Sequence, residues 1–333
     1  MPIAVLQILA DGLLHSGQEI AARLGVSRAA VWKQVKKIEA WGLEVAAVPG
    51  RGYRLKHSLE LLQQPQIAAG MDPGYRGLYR QLEVHQVLAS TNDYLKSSYG
   101  PPQDETVAGK PAQACFAEFQ THGRGRRGRN WFAPYAGALC FSVSWRYETN
   151  PMSLNGLSLA VGTELVAALR KMGITAAGLK WPNDIYWQGR KLGGILFEVA
   201  GEESGPCVAI AGVGLNYRIS PGTARQIDQD WVDLSQISAA GATPLPARNM
   251  LAVRLLEAVS GAMHGFDASR LAAYLERWRE LDCCAGRRVC LSMPQARIEG
   301  LARGVDEYGR LVLETSSGLR CFASGEVSLR IEP

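Results

Sequence analysis

The segment HGRGRRGRNW, residues 122–131, sets Arg124, Arg126, Arg127 and Arg129 among Gly123, Gly125 and Gly128 with no acid between them. Fixed positive charge on so free a backbone suits closure over a bound anion. Ordering the loop costs about 1–2 kcal/mol of backbone entropy per residue, and repulsion among the guanidinium groups adds to that. One arginine–phosphate contact near 4 Å is worth about 4 kcal/mol before desolvation at an effective dielectric of about 20, so two or three offset the cost. The loop is expected to be mobile when empty and to fold over a nucleotide or an acyl phosphate. It is neither a P-loop, since no GxxxxGK[ST] occurs, nor a dinucleotide fingerprint, since GRGRRG runs into Trp131 and a strand rather than a helix.

Other polar residues lie in four runs: ASTNDYL (89–95), KWPNDI (180–185), RKLGGIL (190–196) and GVGLN (212–216). By type alone, Ser90 or Thr91 reads as a helix cap, Gln120 as a strand end, and Trp131 or Trp231 as packing. The five histidines are isolated and the seven cysteines show no CxxC spacing, so no structural metal is expected. An odd, scattered set of cysteines points to free thiols in a reducing cytoplasm. No apolar run approaches about 18 residues, which predicts no membrane span, and the N-terminus lacks the features of a signal peptide.

These runs need elements to carry them, and 333 residues fit two or three domains. Residues 18–56 hold eight basic and three acidic residues, an excess equal to the +5 of the whole chain. Within them, Ser16 and Glu19 have capping-box spacing, Gly25 ends a helix, and Ser27 caps a second helix with Val31, Val35 and Ile38 on one face. Ser27, Arg28, Lys33, Gln34, Lys36 and Lys37 then face away from the core, and Arg51 sits at the tip of a hairpin over residues 43–55. This is a winged helix-turn-helix expected to bind DNA as a symmetric dimer. Residues 57–80 read as a connector with one short helix at Pro65, broken from Gly70 to Gly77. From Leu82, strands alternate with helices in a central mixed sheet, with GLKWPNDIYW taken as one strand. Short β runs after residue 286 fit an SH3-like barrel. The expected architecture is α+β multidomain, with boundaries at 1–64, 65–283 and 284–333.

ASTNDYL, FQTHGRGRRGRNW, KWPNDI, RKLGGIL and GVGLN, in this order behind a winged helix, closely resemble the biotin protein ligases that double as biotin operon repressors, the BirA type. The resemblance covers nearly the whole chain. It implies a ligase domain of the class II synthetase-like type and a two-step reaction. Biotin and MgATP give biotinyl-5′-adenylate, which acylates a lysine of the biotin carboxyl carrier protein of acetyl-CoA carboxylase.

The resemblance also implies roles. Arg126, Lys191 and Asp184 are the catalytic candidates: Arg126 retains the adenylate, Lys191 meets the carboxylate and α-phosphate, and Asp184 receives or orients the incoming lysine's proton. Ser90, Thr91, Asn92, Gln120, Arg124 and Gly125, with Arg126 and Lys191, are implied to hold biotin. Arg126, Arg129, Trp131, Lys180, Asn183, Lys191, Asn216 and Trp231 are implied to meet ATP or the adenylate. Magnesium would arrive with ATP. Implied partners are the carrier protein, the operator DNA of biotin synthesis genes, and a second copy of the chain once adenylate is bound. Two departures from the family pattern stand out, His122 and a long GPPQDETVAGKPAQ segment. Two other readings stay open: a ligand-sensing repressor without ligase activity, and a lipoate-type ligase.

Overall fold

A computed structural model describes residues 2–98, 111–201, 204–293, 296–325 and 328–331. Most of the GPPQDETVAGKPAQ segment lies outside them.

At the front, α1 (Pro2–Leu9), α2 (Gly17–Leu24) and α3 (Arg28–Ala40) bury Leu6, Leu9, Ile20, Val31, Val35 and Ile38 against one another. Ser16 Oγ accepts from the Glu19 N–H (3.0 Å) and Ser27 Oγ from the Ala30 N–H (3.2 Å), so both caps form. The reciprocal half of the capping box does not appear: the Glu19 carboxylate lies 3.4 Å from His15 Nδ1 instead. Strands β1 (Val45–Val48) and β2 (Gly52–Leu55) make the antiparallel wing. Gly52, at φ 132°, lies against the His15 carbonyl, where any Cβ would collide.

The connector holds two helices rather than one. Pro65 sits in the first turn of α4 (Gln64–Gly70), and Asp72 then caps α5 (Pro73–Gly77) by accepting from the Gly74 N–H. The chain leading into α4 is fastened to the central domain. The Glu60 carboxylate accepts from the Arg248 and Asn249 N–H groups (2.7 and 3.0 Å), and Glu118 accepts from the Leu62 N–H (2.5 Å). Arg248 and Glu118 form a fully buried ion pair at 2.8 Å. Breaking such a pair by removing one partner costs about 3–5 kcal/mol.

The central sheet runs β3 (Tyr79–Leu88), β4 (Ala112–Gln120), β5 (Ala138–Tyr147), β9 (Cys207–Asn216), β8 (Arg190–Gly201), β7 (Asp184–Trp187), β6 (Ala177–Lys180). Only β3 and β4 are parallel, so the sheet is mixed as expected. GLKWPNDIYW is two strands, not one: proline cannot continue a ladder, and the chain turns between β6 and β7 at the cis Trp181–Pro182 bond. The helices α7 (Leu157–Lys171) and α10 (Arg248–His264) cover one face, and α11 (Leu271–Glu280) packs on α7. Pro151–Lys171, a short turn plus α7, is long and apolar enough to match a membrane span by composition, contrary to expectation, yet nine residues of α7 are buried in this core. Alternation along β9 puts Ala209, Ala211, Val213 and Leu215 in that core. It turns Val208 and Ile210 toward Leu95 of α6 (Thr91–Ser97) on the other face, which Gly212 and Gly214 share. The shorter α8 (Pro221–Ala224) and α9 (Leu234–Ala239) follow β9.

The C-terminal strands β10 (Arg288–Ser292), β11 (Arg297–Val305), β12 (Leu311–Thr315), β13 (Gly318–Phe322) and β14 (Ser328–Ile331) form an antiparallel sheet ordered β13-β12-β11-β10-β14. Among the described residues β13 and β14 are edges without mutual pairing, so the expected closed barrel is not formed by strand pairing. The front domain and the sheet also share a core: Tyr135 and Ala136 are buried among the winged-helix residues. Tyr135 stacks on Trp41 (5.4 Å between centroids, 15° between planes) and donates its N–H to the Trp41 carbonyl.

Candidate active site

A cavity of about 440 Å³ opens beside α6 and reaches the C-terminal sheet. Its floor is built from glycines. A Cβ on Gly214 would stand 2.6 Å from the Trp131 ring, and one on Gly212 would run into the Asn92 side chain, so the bare backbone lets both groups lie against the sheet.

One wall is a compact polar network. Ser90 caps α6 through the Asp93 N–H, and Gln120 Oε1 at the end of β4 accepts from the Thr91 N–H (2.8 Å). Ser142 Oγ lies 2.7 Å from Thr91 Oγ1 and 2.6 Å from Asn92 Oδ1, and Asn92 Nδ2 donates to Glu198 Oε2 (2.7 Å). Ser90, Thr91, Asn92 and Ser142 are all nearly fully buried, so their hydrogen bonds fix their geometry. Ser142 and Glu198 were not anticipated; the only signal for Ser142 was a hydroxyl interrupting the apolar run ALCFSVSW.

The opposite wall carries charge. Lys191 Nζ lies 2.8 Å from Asp184 Oδ1, with Gly194 beneath them: a Cβ there would be 3.6 Å from the amine. Lys191 Nζ also stands 6.0 Å from the Trp131 ring centroid. Lys180 donates to the Tyr186 hydroxyl (3.0 Å), and Asn183 donates to the Ile195 carbonyl (2.5 Å). Burial lowers the pKa of Lys180, opposed by Asp184, and burial also lowers that of Arg126. Burial, helped by Asp184, pushes the Tyr186 hydroxyl up to about 12. Cations held in a poorly solvated cavity gain from an arriving anion.

The arginine loop closes the cavity as a folded turn. Trp131 donates its N–H to Gly123 and Gly125 to Arg129 (2.8 and 2.7 Å), around a tight turn in which Arg127 adopts φ 58°. The acid absent from the loop's own sequence comes from elsewhere: Arg124 meets Asp93 (2.5 Å) and Glu198 (3.2 Å). Arg126 donates to the carbonyls of Ser324 and Gly325, tying the loop to the C-terminal domain. Gly125 and Arg129 also line the cavity.

Two nucleotide candidates lie off this wall. Asn216 is buried and donates to the carbonyls of Val232 (3.0 Å) and Lys191 (3.4 Å), and Trp231 pairs with Lys191 as an isolated bridge. Both therefore hold Lys191's backbone. Asp230 and Arg330 line the cavity and were missed, because no local motif marks them. In the front domain, Arg28, Lys33, Lys36, Lys37 and Arg51 are exposed, Ser27 serves as the cap, Lys36 pairs with Glu39 (2.7 Å), and Gln34 is half-buried.

Comparison with known proteins matches residues 84–216 to the biotin/lipoate A/B protein ligase family, 3–54 to an HTH domain and 285–330 to the biotin protein ligase C-terminal domain. The bifunctional ligase/repressor BirA of Salmonella typhimurium is 38% identical over 330 residues, covering 99% of this chain and 98% of its own. That of Escherichia coli K12 is 37% identical over the same length, 97% of its own chain. The chain belongs to the BirA family of bifunctional biotin ligase/repressors. The Aquifex aeolicus biotin protein ligase in complex with biotin and ATP superposes at a TM-score of 0.61 with 27% identity, covering 76% of this chain and all of that one. This BirA-family protein is thus an ATP-dependent biotin ligase and a DNA-binding repressor in one chain.

Proposed function

We propose that the cavity joins biotin to ATP and then hands the biotinyl group to a lysine of the biotin carboxyl carrier protein. The biotin carboxylate attacks the α-phosphorus, pyrophosphate leaves, and biotinyl-5′-adenylate remains. The carrier amine then attacks the acyl carbon and AMP leaves. Both steps need positioning and charge stabilisation, and no protein nucleophile.

The observation that carries this reading is the convergence of Lys191, Lys180 and Arg126 on one cavity beside Asp184, with a polar network across from them. Lys191 and Arg126 stabilise charge at the carboxylate and α-phosphate, and Arg126 retains the adenylate. Asp184, 2.8 Å from Lys191, takes the proton from the incoming amine. Ser90, Thr91, Asn92 and Gln120 offer the small donors and acceptors that a ureido ring requires, with Arg124 and Gly125 closing above it. Asn183, Arg129 and Trp131 serve the nucleotide, with magnesium arriving as part of MgATP. Asn216 and Trp231 act through Lys191's backbone.

In the cytoplasm, adenylate binding favours a homodimer whose paired winged helices occupy the operator of biotin synthesis genes, through Ser27, Arg28, Lys33, Gln34, Lys36, Lys37 and Arg51. The C-terminal sheet, taken as SH3-like, closes the cavity. Mass spectrometry of the purified protein incubated with biotin and MgATP is expected to show retained biotinyl-adenylate, and a carrier domain is expected to gain one biotin. Absence of both products overturns the ligase reading of the cavity.

A further inference from the structure

The recognition helix α3 buries Val31, Val35 and Ile38, yet Trp32 stands 52% exposed on its outer side. Exposed apolar surface is unfavourable, and tryptophan carries more of it than any other side chain. Trp32 has Arg28 four residues before it and Lys36 four residues after it, with Lys33 beside it, all exposed. The helix's one acid, Glu39, is paired with Lys36. An aromatic side chain flanked by cations on an outward helix face is complementary to a polyanion that also offers apolar groups. The major groove of DNA fits that description, because its one apolar feature is the thymine 5-methyl. Residues in the N-terminal part of a recognition helix reach base edges, and Trp32 is the fifth residue of α3.

We propose that Trp32 reads sequence by apolar contact with thymine 5-methyl groups in the major groove, while the flanking cations hold phosphates. This rests on the repressor function of the chain and names the base feature that its helix selects.

The test uses the full-length protein with biotin and MgATP, and a duplex selected by the wild-type protein from a random-sequence library. Binding is followed by fluorescence anisotropy for the wild type, Trp32→Ala and Trp32→Phe. Each is tested on the selected duplex, on the same duplex with deoxyuridine replacing thymidine, and on a duplex of random sequence. Trp32→Ala is expected to weaken selected-site binding about 10-fold or more, with Trp32→Phe recovering most of it. Deoxyuridine is expected to weaken wild-type binding about four-fold per contacted methyl and to leave Trp32→Ala unmoved. The slope of affinity against salt and the biotinylation rate should match the wild type in both variants, which also shows that they fold. A deoxyuridine effect that persists undiminished in Trp32→Ala overturns the proposal. So does equal loss on selected and random duplexes, or loss of the dimer in Trp32→Ala, which would place Trp32 between two copies. If the wild type selects no duplex at all, the repressor reading falls together with it.

Discussion

The outer face of α3 and the wall of the cavity are both cationic, and they handle that charge in opposite ways. On α3, Arg28, Lys33 and Lys37 stand in water without an acidic partner among the described residues, whereas Lys36 is paired with Glu39. In the cavity, Lys191 holds Asp184, Arg124 holds Asp93 and Glu198, and Arg126 holds two carbonyls. A solvated face attracts a polyanion at long range and loses it to salt. An enclosed site keeps its cations oriented by internal partners, which a small anion must match in position.

The contrast can be broken most widely with salt. Raising it from about 50 to 200 mM is expected to lower DNA affinity about 1,000-fold, while adenylate formation moves little; equal sensitivity of both would erase the distinction. Lys191→Ala should slow pyrophosphate release about 100- to 1,000-fold and leave basal DNA binding without ligand unchanged, as read by stopped-flow and anisotropy. Arg126→Gly is expected to shorten retention of the adenylate about 100-fold, measured by its exchange against unlabelled biotin and ATP. A retention time equal to that of the wild type would remove Arg126 from its assigned role.

The smallest effect concerns a half-satisfied carboxyl beside Leu179 of β6. Asp282 accepts from the Cys284 N–H (2.8 Å), but its Oδ2 is buried with no hydrogen-bond partner among the described residues, and burial raises its pKa to about 6. A carboxyl whose folded pKa lies above its ordinary value favours folding at low pH. That contribution is complete below about pH 4 and lost as pH rises through about 6. Asp282→Asn keeps the acceptor and removes the charge. It should raise Tm at pH 8, by at most about 3 kcal/mol of stability, and change little at pH 4.

What the sequence disclosed followed from how local each interaction is. The caps at Ser16, Ser27 and Ser90 join neighbours in the chain, and the GRGRRGR, KWPND and RKLGGIL runs carry their residue types in the open. The partners of Arg124 did not show, because Asp93 and Glu198 lie 31 and 74 residues from it. Arg330 reaches the cavity from β14 with no motif around it. KWPND read as one strand because its apolar neighbours run on through the turn, and Glu19 met the spacing rule while its carboxylate found His15. The loop's contacts to α6, β8 and the turn at 324–325 are ones that no spacing within residues 122–131 reveals.

The fastening of residues 60–63 bears on the operator. Glu60 supplies the N-terminus of α10 with the acceptor that Ala247 lacks, and Gln63 donates its N–H to Asn249 (2.8 Å). The reading head is thus bolted to the enzyme body and not hung from a tether. In the proposed dimer the catalytic domains would therefore act as a ruler, setting how many base pairs separate the two half-sites.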